Sequence, residues 1–363
     1  MQKDIKYWLA LASNGQIGAK TFAKLLARFN SMEEVWCASI KKLKNMQIPD
    51  NVIKLVLEIK SNTNPDAELN KINKLGIKVV TIKDENYPKL LKQIPDAPAV
   101  LYYKGEFCDS DEFSVAVVGS RKYSDYGRRT TIDITEKLAN EGITIISGLA
   151  LGIDSFAHQA TLKMKKRTIG VLANGLDTIY PLSNQGLARL VLNNNGAIVS
   201  EFPPGMPALK HNFPVRNRII AGLSLGTLVV EGELKSGSLI TAQCALDYNR
   251  EVFAVPGSIY SSVSDGPNFL IKSGAKLVTS YNDILEELNF DVKMRISEAK
   301  KIIPDSREEA IILKFVNYDN PIHIDKLIKL TKLDIITLSS KLSLMEIKGK
   351  IKNIGASNYL LGH

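Results

Sequence analysis

The chain has 363 residues, 45% of them hydrophobic and 23% charged, which excludes a largely disordered polymer and predicts two or three folded domains. Lysine and arginine number 47 against 38 aspartates and glutamates, a formal charge of +9 that points to a polyanionic partner. Cys37, Cys108 and Cys244 stand alone and the opening residues lack an apolar signal core, so a disulfide framework, a paired-cysteine metal site, export and a membrane span are all disfavoured, and a cytoplasmic setting is expected.

Residues 5–60 repeat apolar side chains at helical spacing, as in Phe22, Leu25, Leu26 and Phe29, and predict a small helical module. Its turn Asn14-Gly15-Gln16-Ile17-Gly18 reads either as a plain connection or as a helix-hairpin-helix turn that offers backbone N–H groups to phosphate; the plain connection is favoured. From Leu75 to Gly105 short extended pieces broken by Pro88, Pro95 and Pro98 suggest a connector packed onto the next domain. Apolar, β-branched runs then begin near Val115, Ile143, Thr168, Ala197, Thr227, Glu251 and Lys276, with helical periodicity between them. That alternation predicts an α/β fold with a doubly wound, mostly parallel Rossmann-like sheet, whose ligands sit beyond the carboxyl ends of the strands.

A lysine-rich linker is expected over 291–307, followed by a basic unit, 308–363, in which three helices precede a hairpin, the winged-helix order. The recognition helix of such a unit would begin near Ile335 and carries Thr337, Ser339, Ser340 and Lys341 but no arginine, a poor set for reading base edges and one that suits protein contacts at least as well.

Four segments carry candidate chemistry. After the first strand of the βα region comes Gly119-Ser120-Arg121-Lys122-Tyr123-Ser124 and then a helix; a glycine turn, a helix N-terminus and a guanidinium fork make a phosphate site. The G-x-G-x-x-G spacing and a ribose-gripping acid are missing, which disfavours a dinucleotide cofactor. After the second strand comes Ser147-Gly148 to Gly152-Ile153-Asp154, where Asp154 reads as a helix cap and His158 as a packed or surface helix residue rather than a general base.

The third segment, Lys210-His211-Asn212-Phe213-Pro214-Val215-Arg216-Asn217-Arg218, interleaves cations with an aromatic, as a single strand requires. Phe213 serves equally as a stacking platform or as the start of a buried helix face; for Arg216 and Arg218 together the binding role is favoured. The fourth, Ser236-Gly237-Ser238, passes from strand to helix and either caps that helix or donates to phosphate. Gly222-Leu223-Ser224-Leu225-Gly226 matches a nucleophile elbow in letters only, because the elbow needs a strand before it and a helix after it, the reverse of the order here.

These blocks, in this order, resemble the DNA-processing protein A (DprA/Smf) family. The resemblance implies a sterile-alpha-motif-like helical domain over 1–70, an extended Rossmann-like domain over 71–290 and a winged-helix tail. It also implies single-stranded DNA binding, a homodimer, loading of the RecA recombinase in natural transformation or recombination, and no catalytic residue, metal or cofactor. The implied DNA contacts are Gly119, Ser120, Arg121, Lys122, Ser124, Lys210, His211, Phe213, Arg216, Asn217, Arg218, Ser236, Gly237 and Ser238. The alternative is a Rossmann-like hydrolase of nucleoside monophosphates, with Glu201, Glu231 or Glu233 as its carboxylate.

Overall fold

The computed structural model describes residues 4–289, 304–317 and 321–361, so nearly all of the linker expected over 291–307 lies outside the described residues. The chain divides into two compact units, one running to Ile284 and the other from Leu285.

The first unit is built on a nine-stranded sheet of order β1-β2-β6-β5-β4-β3-β7-β8-β9. Its strands are β1 (Lys78–Thr81), β2 (Val100–Gly105), β3 (Ser114–Val118), β4 (Thr144–Ser147), β5 (Thr168–Val171), β6 (Ala197–Ser200), β7 (Gly226–Val229), β8 (Glu251–Ala254) and β9 (Lys276–Leu277). Strands β3 to β9 pair in parallel and begin within a residue of the seven apolar runs read from sequence. The connector over 75–105 is more than a linker: β1 and β2 add an antiparallel extension through β2 and β6. The extended pieces read there from sequence are thus strands of the main sheet itself.

Side chains alternate between two cores, one on each face. On β2, Val100 and Tyr102 face one cluster while Leu101 and Tyr103 face the other. The first cluster also contains Trp8, Phe22, Leu25, Val56 and Ile72 of the N-terminal helices together with Leu172 and Ile198 of the sheet layer and Leu187 of the helix Gln185–Asn193. The division expected near residue 70 is therefore one of secondary structure rather than of packing.

The chain leaves β3 for β4, β5 and β6 on one side and returns to β7 on the other. The tips of β3 and β7 thus flank the topological switch point, where an open parallel sheet leaves a crevice.

In the second unit, the helices Arg307–Leu313, Ile324–Thr331 and Ile335–Ile347 enclose Ile312, Leu327, Leu338, Leu342 and Met345 against a three-stranded sheet, β10 (Ile322–His323), β12 (Asn358–Leu361) and β11 (Ile351–Asn353). This is the winged-helix order expected from sequence. His323 caps its helix rather than opening it, accepting from the Asp325 N–H. On the would-be recognition helix Lys341 is tied to Ser306 and Glu308, and the exposed side chains include Ile336, Leu344 and Ile347.

Candidate nucleic-acid interface

A cleft of about 320 Å³ opens at the switch point, walled by the loop after β3 (Gly119 to Lys122), the turn after β4 (Ala150, Asp154), the helix Asn212–Gly222 (Phe213, Arg216, Asn217) and the turn after β7 (Glu233 to Ser238). Three helices begin at its walls, Ile153–Lys163, Asn212–Gly222 and Gly237–Asp247. Each brings the positive end of its dipole and first-turn N–H groups toward the same space, which suits an anion. The lining holds four cations, Arg121, Lys122, Arg216 and Lys235, against two carboxylates, Asp154 and Glu233.

The fourth helix at this edge, Asp125–Asn140, is already satisfied. The Glu231 carboxylate, 2% exposed, sits at its N-terminus and accepts from both the Ser124 N–H, at 2.9 Å, and the Ser124 hydroxyl. Ser124 in turn accepts from the Gly127 N–H at 3.0 Å. The expected contact of Ser124 with a ligand is thereby corrected: an internal anion occupies that helix end. Glu231 is likewise withdrawn as a catalytic carboxylate.

Arg216 is buried and bonded within the protein, not free for a ligand as the binding role requires. Its guanidinium donates to the carbonyls of Gly148 (2.7 Å) and Val171 and to Asn217 Oδ1 (3.1 Å). Gly148 has to be glycine here, since a Cβ would lie 2.6 Å from Arg216 Nη1. Burial lowers the Arg216 pKa to about 10, opposed by the Asp154 carboxylate. Asp154 is not the helix cap that its position suggests. It turns back to the Gly148 N–H at 3.1 Å and attracts those of Ala150 and Gly119, while burial pushes its own pKa up. Asp154 and Arg216 therefore knit the strand tips together beneath the cleft.

Arg218 requires the firmest correction. It pairs with Glu201, donates to the Asp96 carbonyl at 2.6 Å and lies outside the cleft lining. One residue beyond Asn217 turns the side chain about 100° around the helix, away from the cleft and into a network that also engages Tyr248 through Asp96 at 2.7 Å. The same pairing removes Glu201 from any catalytic role and leaves Glu233 as the one of the three proposed carboxylates that lines the cleft.

Phe213 is half-buried and lines the cleft, with the Arg121 guanidinium 5.3 Å and that of Arg216 5.8 Å from its ring centre. Arg121 is exposed, and among the described residues it forms no ion pair. Asn217 donates to the Gly237 carbonyl at 3.0 Å, fixing the hydroxyl turn against the helix, while Ser236 caps the next helix by accepting from the Ser238 N–H at 3.1 Å. Of the two roles read for that turn, capping is the one already in use. Gly119 also has a packing reason: a Cβ there would meet Ile153 at 2.7 Å.

A model of the DNA recombination-mediator protein A family matches residues 78–289. The chain belongs to that family. A DprA winged-helix domain model matches 297–354. Protein Smf of Escherichia coli is 51% identical over 212 residues, 58% of this chain and only 57% of that protein. Protein Smf of Synechocystis is 37% identical over 307 residues, 83% of this chain and 77% of that one. Among solved structures, DNA processing protein A from Streptococcus pneumoniae superposes with a TM-score of 0.67 at 37% identity, over 78% of this chain and 97% of that chain. The Helicobacter pylori DNA processing protein A, described for its single-stranded DNA binding mode, gives 0.53 at 31% identity, over 59% of this chain and 96% of that chain.

Within this family member, the cleft gathers Gly119, Ser120, Arg121, Lys122, Phe213, Arg216, Asn217, Ser236, Gly237 and Ser238. Ser124 and Arg218 stand outside it, as do the exposed Lys210 and His211. Sequence reasoning missed Lys235, which lines the cleft beside the hydroxyl turn, and Tyr180, which lies outside that lining and meets Phe213 edge-on at 5.9 Å in a small adjoining pocket. Tyr180 follows β5 and so belongs to the same strand-end edge, a placement that only the sheet order discloses. His158 packs as expected, with Nδ1 2.7 Å from Thr168 Oγ1 and a pKa lowered to about 3 by burial and by Arg216.

Proposed function

We propose that the chain holds single-stranded DNA by its sugar–phosphate backbone in the cleft at the sheet mouth and serves as a recombination mediator that passes the strand to the RecA recombinase. The observation that carries the DNA reading is the meeting of three helix N-termini with exposed Arg121, in no ion pair among the described residues, beside the Phe213 ring. Backbone phosphates supply charge for the first and an unstacked base a π-face for the second. The single-stranded DNA binding mode described for the Helicobacter pylori relative supports the same choice of ligand.

The recombinase step rests on family membership. A homodimer rests on family membership as well, with exposed Leu277 and Phe269 as apolar surface for a second copy. Among the described residues no helix is long and apolar enough to cross a membrane.

A titration of labelled oligothymidylate with unlabelled duplex as competitor tests the reading. Single strands are expected to bind with little sequence preference and with an affinity that falls by about 0.7 log units per phosphate contact for each tenfold rise in salt. Equal competition by duplex, or unchanged affinity in Arg121→Ala, would overturn it. Release of free base from nucleoside monophosphates would favour the hydrolase instead.

A further inference from the structure

The N-terminal helices carry a basic surface that the cleft leaves unused. Between Ile5 and Met32 the sequence has four cations, Lys6, Lys20, Lys24 and Arg28, and no aspartate or glutamate. Lys6 is engaged by Asp66 at 2.8 Å. Lys20, Lys24 and Arg28 are exposed, and among the described residues none of them forms an ion pair. They recur every fourth residue along the helix Ala19–Leu26 and the turn that closes it, where the Arg28 N–H donates to the Leu25 carbonyl at 3.0 Å. That spacing puts them in one row, about 6 Å apart, on the face away from buried Phe22, Leu25 and Phe29. Like charges in a row repel each other, and a phosphate backbone would relieve that repulsion.

One contact links the start of this helix to the approach to the cleft. The turn before this helix packs on the loop that leads to Phe213: a Cβ at Gly15 would come within 2.8 Å of Met206 Cε. Along that loop, between Met206 and Phe213, stand Lys210 and His211, the two exposed basic residues that the cleft does not take. At the far end of the row, Lys42 lies 5.8 Å from the Phe29 ring and brings exposed Lys41 and Lys44 with it.

We propose that Lys20, Lys24 and Arg28 form a second backbone-binding surface for the same single strand, which leaves the cleft past Lys210 and runs along the N-terminal helix. The inference rests on the cleft being the primary site. Contact is to phosphate alone, so it adds affinity and footprint without base preference. This surface gives the N-terminal helices a role in DNA binding and accounts for basic residues that the cleft leaves idle.

The test uses the full chain and the triple variant Lys20→Gln, Lys24→Gln, Arg28→Gln, whose positions are solvent-facing. Affinities are measured for a short oligothymidylate of about 6 nucleotides and a long one of about 25, over a range of salt. The variant is expected to bind the short strand as the parent does, to lose about tenfold or more for the long strand at low salt, and to show a salt slope shallower by about 2. Unchanged affinity and slope for the long strand overturn the inference, and so does an equal loss for both lengths, which would reflect general attraction. If neither protein binds the short strand, the cleft reading fails and this one with it; if both bind both strands alike, only the second surface is lost.

Discussion

The loop 119–124 and the helix Asn212–Gly222 both bring cations to the mouth of the sheet, and they use them in opposite ways. In the loop, Arg121 and Lys122 are exposed. In the helix, Arg216 and Arg218 are buried, the first bound to the Gly148 and Val171 carbonyls and the second to Glu201 and the Asp96 carbonyl. An irregular loop beyond a strand tip has water on one side, whereas a helix packed against strand tips and a neighbouring helix has little. Arginines on the helix therefore find their partners within the protein and hold the walls of the cleft, while those on the loop stay free for an incoming phosphate. A high density of positive charge in sequence does not by itself say which of the two a residue will be.

The widest separation between the two regions is expected from Arg216→Ala and Arg121→Ala. Removing Arg216 leaves buried carbonyls and the Asp154 carboxylate without their partner, and unfolding should show a loss of about 3–5 kcal/mol. Removing Arg121 should leave stability within about 0.5 kcal/mol of the parent yet weaken single-strand binding by about 1.5–3 kcal/mol, a tenfold to hundredfold effect. The reverse pattern would invert the assignment of the two regions.

Ser124→Ala sharpens the comparison inside the loop, because Ser124 serves Glu231 rather than a ligand. Losing one donor to a buried carboxylate should cost about 1.5–3 kcal/mol in stability, with DNA affinity per folded molecule unchanged. Phe213→Ala should do the opposite and remove about 1–3 kcal/mol of binding in an oligonucleotide titration, with a small change in melting temperature because the ring is half-buried.

The comparison is sharpened again by a pH dependence at the outward end of the helix. Burial raises Glu201 from 4.5 to about 7, against the pull of Arg218 and helped by Asp96. Between those two values the unfolded chain has released the proton and the folded chain has kept it, so this group's contribution to stability declines as pH rises from about 4.5 to about 7. Melting curves of Glu201→Gln should be flatter across that window than those of the parent.

Short β-branched apolar runs alternating with amphipathic segments made the parallel strands and the winged helix legible. For β1 and β2 the extended character was legible but their place in the sheet was not, because β2 pairs antiparallel with β6, far along the chain. At the site, residue type and loop position identified Gly119, Arg121, Phe213 and the Ser236 turn. They failed at Ser124 and Arg218, since whether a polar group is free depends on partners far along the chain, Glu231 in one case and Asp96 with Glu201 in the other. Tyr180 stayed unseen for the same reason: its neighbour Phe213 is brought to it by strand order.

The most direct test of the central claim is a crystal structure of the chain with a short oligothymidylate. The account predicts a phosphate within hydrogen-bond distance of the Arg121 guanidinium, held between the Gly119 loop and the Ser238 turn, with a thymine against Phe213. An ordered strand bound elsewhere on the molecule, with the switch-point cleft holding only solvent, would contradict it.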